Sequence, residues 1–468
     1  MLCRVLCALV FVAWTGEAPL SLDPVLYYGL WRSPFQIFGP LFVPLPALHL
    51  FTLQVLLLFI APLCLLKPGA FRKRTFPMYA AIAASFATLV VTFLWGLVRG
   101  GSAYLSYYQL WRFLAALLVG ALLLAVVHTS RDLKAVGLTV LSAALVRGTL
   151  AIYFYCAYVK GRNLQPVPAH MTTHEDSLLF VAGIVVAAAW ALARMTWTAQ
   201  LTAFVVAAHL MVALAVNNRR IAWIELSFAL ATLYLLLPRR GLRRRVNRRL
   251  VLATPVLLVY ALVGWGRPEP VFAPLKAFAT TGSDADGSSL ARLEEDKNLV
   301  YTLFTAGNPL LGTGWGHPYL ERTNIYSRYI KDWTLYRVLP HNSLLGLAAF
   351  GGVVGLFGFW LVVPIAALVG TRGLRDAKLP VDRAAAMAAV SLLPAYGAQC
   401  FGDVGLQMLT CNMVLSIAIG ACGSVFARTG PPPAPSLARA LARRIGARPA
   451  SLRPSSTTGL ASRQELGS

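Results

Sequence analysis

Long apolar runs alternate with short, mostly cationic breaks along nearly the whole chain. A bilayer crossing takes roughly 20 apolar residues as a helix. Runs of about that size fall at 2–16, 45–66, 77–98, 110–128, 135–158, 178–195, 198–216, 221–237, 250–265, 341–369, 384–400 and 404–426. The first is short. Behind Arg4, Val5 to Trp14 resembles a signal peptide, but Glu17 and Pro19 stand where a small-x-small cleavage site belongs, so it is read as a span. The pattern predicts an all-α polytopic membrane protein with about 12 transmembrane helices over 1–426. A large loop, 266–340, separates helices nine and ten, and a Pro-, Ser- and Arg-rich tail, 427–468, is expected to be disordered.

Charge orients this pattern. Of 468 residues, 57% are hydrophobic and 13% charged, against about 25% charged in soluble domains. The net charge of +24 fits cationic loops that set topology. Nucleic acid is not an expected partner, because no basic stretch carries the aromatic interleaving of a strand-binding surface. With the N-terminus inside, the inner loops and tail collect most of the 42 basic residues and few of the 18 acidic ones. The loop Pro238 to Arg249 is the strongest inward signal. Outside then lie the 266–340 loop, the turn Asn217 to Arg220, and a loop at 159–177 with Lys160, Arg162, His170, His174 and Glu175. The seven cysteines sit in or beside apolar runs without a Cys-x-x-Cys, so they read as packing residues.

The outward polar residues carry the candidate chemistry. Arg219 and Arg220 lie against the positive-inside trend, and a guanidinium fork suits the phosphate oxygens of a lipid phosphate or diphosphate. Ser288-Ser289 before Leu290 looks like the cap of an amphipathic helix with Leu290, Leu293 and Leu299 on one face. That helix would carry Arg292, with Lys297, Arg322, Arg328, Lys331 and Arg337 following as mostly solvated cations, partly balanced by Glu294, Glu295 and Asp296. Gly312, Gly314 and Gly316 resemble a phosphate cradle only superficially, lacking the strand-to-helix context and the lysine. His341, in Pro340-His341-Asn342-Ser343, is the candidate base: imidazole has an unperturbed pKa near 6.5, and Asn342 or Ser343 would cap the following helix better. His170 and His174 with Glu175 fall short of a zinc site, since Pro166 and Pro168 argue for a loop, and no metal is expected. Arg147, inside an apolar span, must find a buried partner, for which Glu225 is a candidate.

Three blocks in this order resemble the O-antigen ligase and polymerase superfamily of bacterial membrane glycosyltransferases. They are VNNRRIAWIELSFAL (Val216 to Leu230), the stretch from Ser289 and Arg292 to GNPLLGTGWG (Gly307 to Gly316), and HNSLLGLAAFGGVVGLFGF (His341 to Phe359). The resemblance covers roughly 200–370. Two features depart from the family pattern: the turn reads Asn-Asn-Arg-Arg instead of Ser-Arg, and an acidic stretch follows Arg292 where the family commonly has Trp. The resemblance implies a GT-C-like, metal-independent enzyme of the bacterial inner membrane, without a cofactor and with a periplasmic active site. Its donor would be an undecaprenyl-diphosphate-linked glycan, and its acceptor lipid A-core or another lipid-linked hydroxyl. By carry-over Arg220 and Arg292, with Arg219 competing, would hold the donor diphosphate, and His341 would activate the acceptor or steady the diphosphate. A ligase is favoured over a polymerase by the single large outer loop. A secondary transporter would instead show internal repeats and ionisable groups at mid-membrane.

Overall fold

The computed structural model of the chain describes residues 1–16, 52–161, 171–238, 241–267, 272–279, 287–322 and 336–429. Apolar runs fold into helices because in lipid the backbone must bond to itself. The helices are α1 (Leu2–Gly16), α2 (Thr52–Leu65), α3 (Phe76–Val98), α4 (Ala103–Val126), α5 (Ser130–Phe154), α6 (Asp176–Arg194), α7 (Trp197–Asn217) and α8 (Arg220–Leu235). They continue with α9 (Leu242–Gly264), α10 (Ala273–Ala279), α11 (Gly287–Thr305), α12 (Ser343–Trp360), α13 (Val362–Asp376), α14 (Pro380–Gly402) and α15 (Leu409–Thr429). Among the described residues there is no β-strand, and nine helical stretches are long and apolar enough to cross a membrane. The chain is an all-α, multi-pass membrane protein. The tail expected to be disordered lies, beyond Thr429, outside the described residues.

The core is built by α4, α14 and α15, with α15 packed on α4, α13 and α14, and α6 and α8 packed on α14. At the periphery, α9 buries only Gly264. Small residues line the close contacts: a Cβ on Gly420 would come within 2.5 Å of Leu123, and one on Gly370 within 2.6 Å of Cys422.

The run expected as one span, 341–369, is broken. Gly352 sits at φ 61°, ψ −159°, inside α12, a conformation that side chains oppose. The break strands backbone groups, and the glycine-rich loop ahead of α12 satisfies them. Thr313 and Gly314 donate N–H groups to Ala349 O and Phe350 O, both at 2.9 Å, while Val353 and Val354 donate to Pro309 O and Leu310 O at 3.0 and 2.9 Å. The loop crosses α3 at contact distance, where a Cβ on Gly96 would lie 2.1 Å from Trp315 O. The close approach on α12 is thus loop against helix.

Arg147 is fully buried and paired with Asp176 in place of Glu225. Its Nε lies 3.0 Å from each carboxylate oxygen and its Nη2 2.5 Å from Oδ2. Thr173 N–H donates to the same Oδ2 at 3.2 Å. Asp176 opens α6, so the arginine closes a helix start as well as a charge. Glu225 is buried on α8, and neither carboxyl oxygen has a hydrogen-bond partner among the described residues.

Candidate functional site

The turn between α7 and α8 is fixed by its asparagines. Buried Asn217 accepts N–H bonds from Met171 and Thr172 at 3.0 and 3.1 Å and donates to Thr173 O at 3.1 Å. It thereby ties the 171–176 segment, anchored by Arg147, to the turn. Asn218 takes the left-handed conformation that ends α7, at φ 52°, a role asparagine fills with little strain. The Asn-Asn pair is therefore a structural device that presents Arg219 as the N-cap of α8 and Arg220 as its first residue.

Asp403, where α14 ends, gathers the cations. Arg219 Nη2 pairs with its Oδ2, Arg292 Nη2 lies 3.9 Å from the same oxygen, and Val404 N–H donates to Oδ1 at 3.0 Å. Burial alone would raise this carboxyl. Arg219 and Arg292, with His174 and His341 behind them, outweigh burial and hold it well below the usual carboxylate range. Arg220 is close enough to Arg292 and Arg219 to feel their repulsion. Four basic groups predicted separately, Arg219, Arg220, Arg292 and His341, thus converge at one end of the bundle.

His341 is not the cap of α12. Asn342 accepts from Leu345 N–H at 3.1 Å, and Ser343 Oγ donates to Gln407 Oε1 at 2.8 Å while accepting from Leu406 N–H at 3.2 Å. Relieved of capping, His341 packs on α11: its N–H donates to Glu295 Oε2 at 2.9 Å, and its Nδ1 lies 3.2 Å from the same oxygen. The Glu295 side chain is 1% exposed and the imidazole 21%. Asp296, next to it, is pushed up to about 6, because burial and the Glu295 carboxylate outweigh an Asn342 bond and the charges of Arg292 and His341.

The helix α11 explains this grouping and corrects its expected face. Leu290 and Leu293 are exposed, at 42% and 51%, and only Leu299 of the three leucines is buried. The buried stripe is Ala291, Glu295, Asn298, Leu299 and Thr302, spaced three and four apart. Arg292 and Glu295 are one turn apart, so one helix delivers a cation towards Asp403 and a carboxylate to His341. The side chains of Ser288 and Ser289 lie outside the described residues.

Other candidates stay apart. The glycine loop is committed to α3, α4 and α12, with Gly316 N–H on Gln109 Oε1 at 2.6 Å and Trp315 Nε1–H on Thr92 Oγ1 at 2.7 Å. Lys297 pairs with Glu294 at 2.5 Å, and Arg337 donates to Tyr319 O at 2.7 and 2.9 Å. His170, Arg328 and Lys331 lie outside the described residues. Asp403, Glu295 and Asp296 escape sequence reasoning. Asp403 offers one weak signal, a lone carboxylate at the end of an apolar run, and Glu295 only its spacing from Arg292.

Two cations and a shared buried carboxylate can exchange an internal counter-charge for a phosphate. A carboxylate-held imidazole beside them can take a proton. Residues 202–360 match the family model described as O-antigen ligase, which covers the α7–α8 turn, Arg292 and His341. No curated protein matches the chain.

Proposed function

We propose that the chain, whose residues 202–360 match the O-antigen ligase family model, is a glycosyltransferase that moves an undecaprenyl-diphosphate-linked glycan onto an acceptor hydroxyl. The observation that carries this reading is the meeting of Arg219 and Arg292 on the buried Asp403 carboxylate, with Arg220 next to Arg219 at the start of α8 and His341 leading into α12, whose Ser343 Oγ reaches Asp403 O.

In the proposed reaction Arg220 and Arg292 bind the donor diphosphate, and Arg219 is held by Asp403 as a support. The acceptor hydroxyl attacks the anomeric carbon and its proton passes to His341. The bond from that carbon to the diphosphate oxygen breaks, and undecaprenyl diphosphate leaves with its electron pair. Guanidinium groups stabilise the charge growing on that oxygen, a contribution of about 3–4 kcal/mol for one well-placed donor. Because they can supply the positive charge, the step runs without a divalent ion. Glu295 accepts an Nδ1–H from His341, which fixes the tautomer and leaves Nε2 as the base.

The acceptor is lipid A-core or another surface lipid, and the site faces the periplasm. The sidedness is supported by the basic inner loops. Cysteine labelling of intact cells should reach a probe at position 288 and miss one at position 247; the reverse pattern rejects it. The function is tested by deleting the gene and separating surface glycans on gels. Loss of attached polymer with lipid-linked polymer accumulating is expected; single-repeat products would make the chain a polymerase. With purified protein, His341→Ala should abolish transfer without loss of membrane insertion, and chelator should leave wild-type transfer unchanged. Near wild-type transfer by His341→Ala removes the base, and chelator loss reversed by a divalent ion removes the metal-free step.

A further inference from the structure

At the opposite end of the bundle lies a cavity of about 710 Å³. Three guanidinium groups from three helices line it: Arg245 of α9, Arg375 of α13 and Arg383 of α14. Among the described residues no carboxylate lines it. Among the described residues none of the three forms an ion pair, although Arg428 at this end pairs with Asp382, the residue before Arg383, at 3.3 Å. Arg383 is oriented by donating Nε–H to Ala377 O at 2.9 Å, a bond that leaves its terminal nitrogens available to a second acceptor. A topology signal needs only cations in the loops. It does not need three helices to bring them to one chamber, where like charges repel unless an anion enters.

A second cavity, of about 630 Å³, adjoins the first and shares Leu192, Met195, Leu242 and Arg245 with it. It runs between α6, α7, α8 and α9 and is walled by apolar residues such as Phe204, Leu230 and Leu250. Since α9 buries only Gly264, protein packing leaves this gap open. A cationic chamber at the helix ends that continues into an apolar groove along the spans has the chemistry of a phospholipid: phosphate first, acyl chain behind.

We propose that the two cavities together bind an anionic phospholipid from the leaflet at this end, its phosphate among Arg245, Arg375 and Arg383 and one acyl chain in the groove beside Phe204. This site is separate from the Asp403 cluster and stands or falls independently of the transfer reaction.

The test uses the full-length protein in nanodiscs holding equal phosphatidylglycerol and phosphatidylcholine, with retained lipid measured by native mass spectrometry. Wild type is expected to retain phosphatidylglycerol over phosphatidylcholine by about tenfold or more. The triple variant Arg245→Gln/Arg375→Gln/Arg383→Gln should lose that preference, and Arg372→Gln, an exposed cation of α13 outside the cavity, should keep it. Equal retention of both lipids by wild type overturns the proposal, as does an unchanged preference in the triple variant. Inorganic phosphate competing as well as phosphatidylglycerol would show a phosphate site without a lipid tail and equally overturns it. If the triple variant does not fold, Arg375→Gln alone is read by the same ratio: a fall of about threefold supports the site, and no fall rejects it.

Discussion

Two arginine–aspartate pairs stand near the same end of the bundle and differ in how fully they are closed. In Arg147–Asp176 each side chain is 1% exposed, and the carboxylate takes bonds from Nε, Nη2 and the Thr173 N–H. In Arg219–Asp403 the aspartate is 2% exposed but the arginine 16%, and Arg292, 33% exposed, shares the same oxygen at 3.9 Å. A closed pair has no valence left for a substrate and serves as an anchor. An open, shared pair holds cations in place while leaving them reachable. The Coulomb attraction is similar in kind, and access to solvent separates the roles.

Breaking the closed pair should cost the fold. Arg147→Leu strands a buried carboxylate, a loss of about 3–5 kcal/mol. Thermal unfolding in detergent should show a large drop in Tm, and an unchanged Tm would mean that the pair is not an anchor. Breaking the open cluster should cost transfer first. Arg220→Ala is expected to lower the rate roughly 10²–10³-fold, the scale of one lost transition-state donor, with Tm nearly unchanged. Arg220→Lys should recover only part, because an ammonium lacks the planar fork. If Arg219→Ala abolishes transfer and Arg220→Ala does not, the two exchange roles.

A smaller effect sharpens the part played by the carboxylate behind the histidine. Glu295→Gln replaces a charged acceptor worth roughly 1.5–3 kcal/mol, so kcat should fall about 10–100-fold while KM for the donor holds. The pH profile should move as well. A loss confined to Tm, with kcat and profile unchanged, would make Glu295 structural. The smallest effect concerns Asp296, whose carboxyl is raised from 3.8 to about 6. The folded protein binds this proton more tightly than the unfolded chain, so the group destabilises progressively as pH rises from about 3.8 to about 6. Asp296→Asn should therefore raise Tm more at pH 7.5 than at pH 5, and an equal shift at both values would remove the titration from the account.

The contrast also measures what the residue order made legible. Spans are visible because lipid demands long apolar helices, and Arg220, Arg292 and His341 stand out as polar groups that topology does not explain. Glu295 was hidden because a carboxylate one turn from an arginine looks like local charge balance; its partner, His341, is 46 residues away. Asp403 meets Arg219 across 184 residues, a contact that no local pattern encodes. Leu290 and Leu293 misled in the other direction. Their spacing is that of a buried stripe, yet α11 turns Glu295, Asn298 and Thr302 inward to serve the loops and leaves those leucines outside. The glycine loop, read from its sequence as only superficially like a phosphate cradle, is committed to protein: the N–H groups of Thr313, Gly314 and Gly316 bond Ala349 O, Phe350 O and Gln109 Oε1.

The break at Gly352 has a consequence for the birth of the protein. Ala349 O, Phe350 O and the N–H groups of Val353 and Val354 take partners in residues 309–314, which are synthesised before α12. Each such group left bare in hydrocarbon costs several kcal/mol. A newly made α12 therefore cannot settle in the bilayer as an independent hairpin half. It must meet residues 309–314, which are made before it, so placement of that loop and insertion of the span become one coupled event. A lesion in Gly312 or Gly314 would then register as a defect of biogenesis, in protein that never matures, before it could register as one of chemistry.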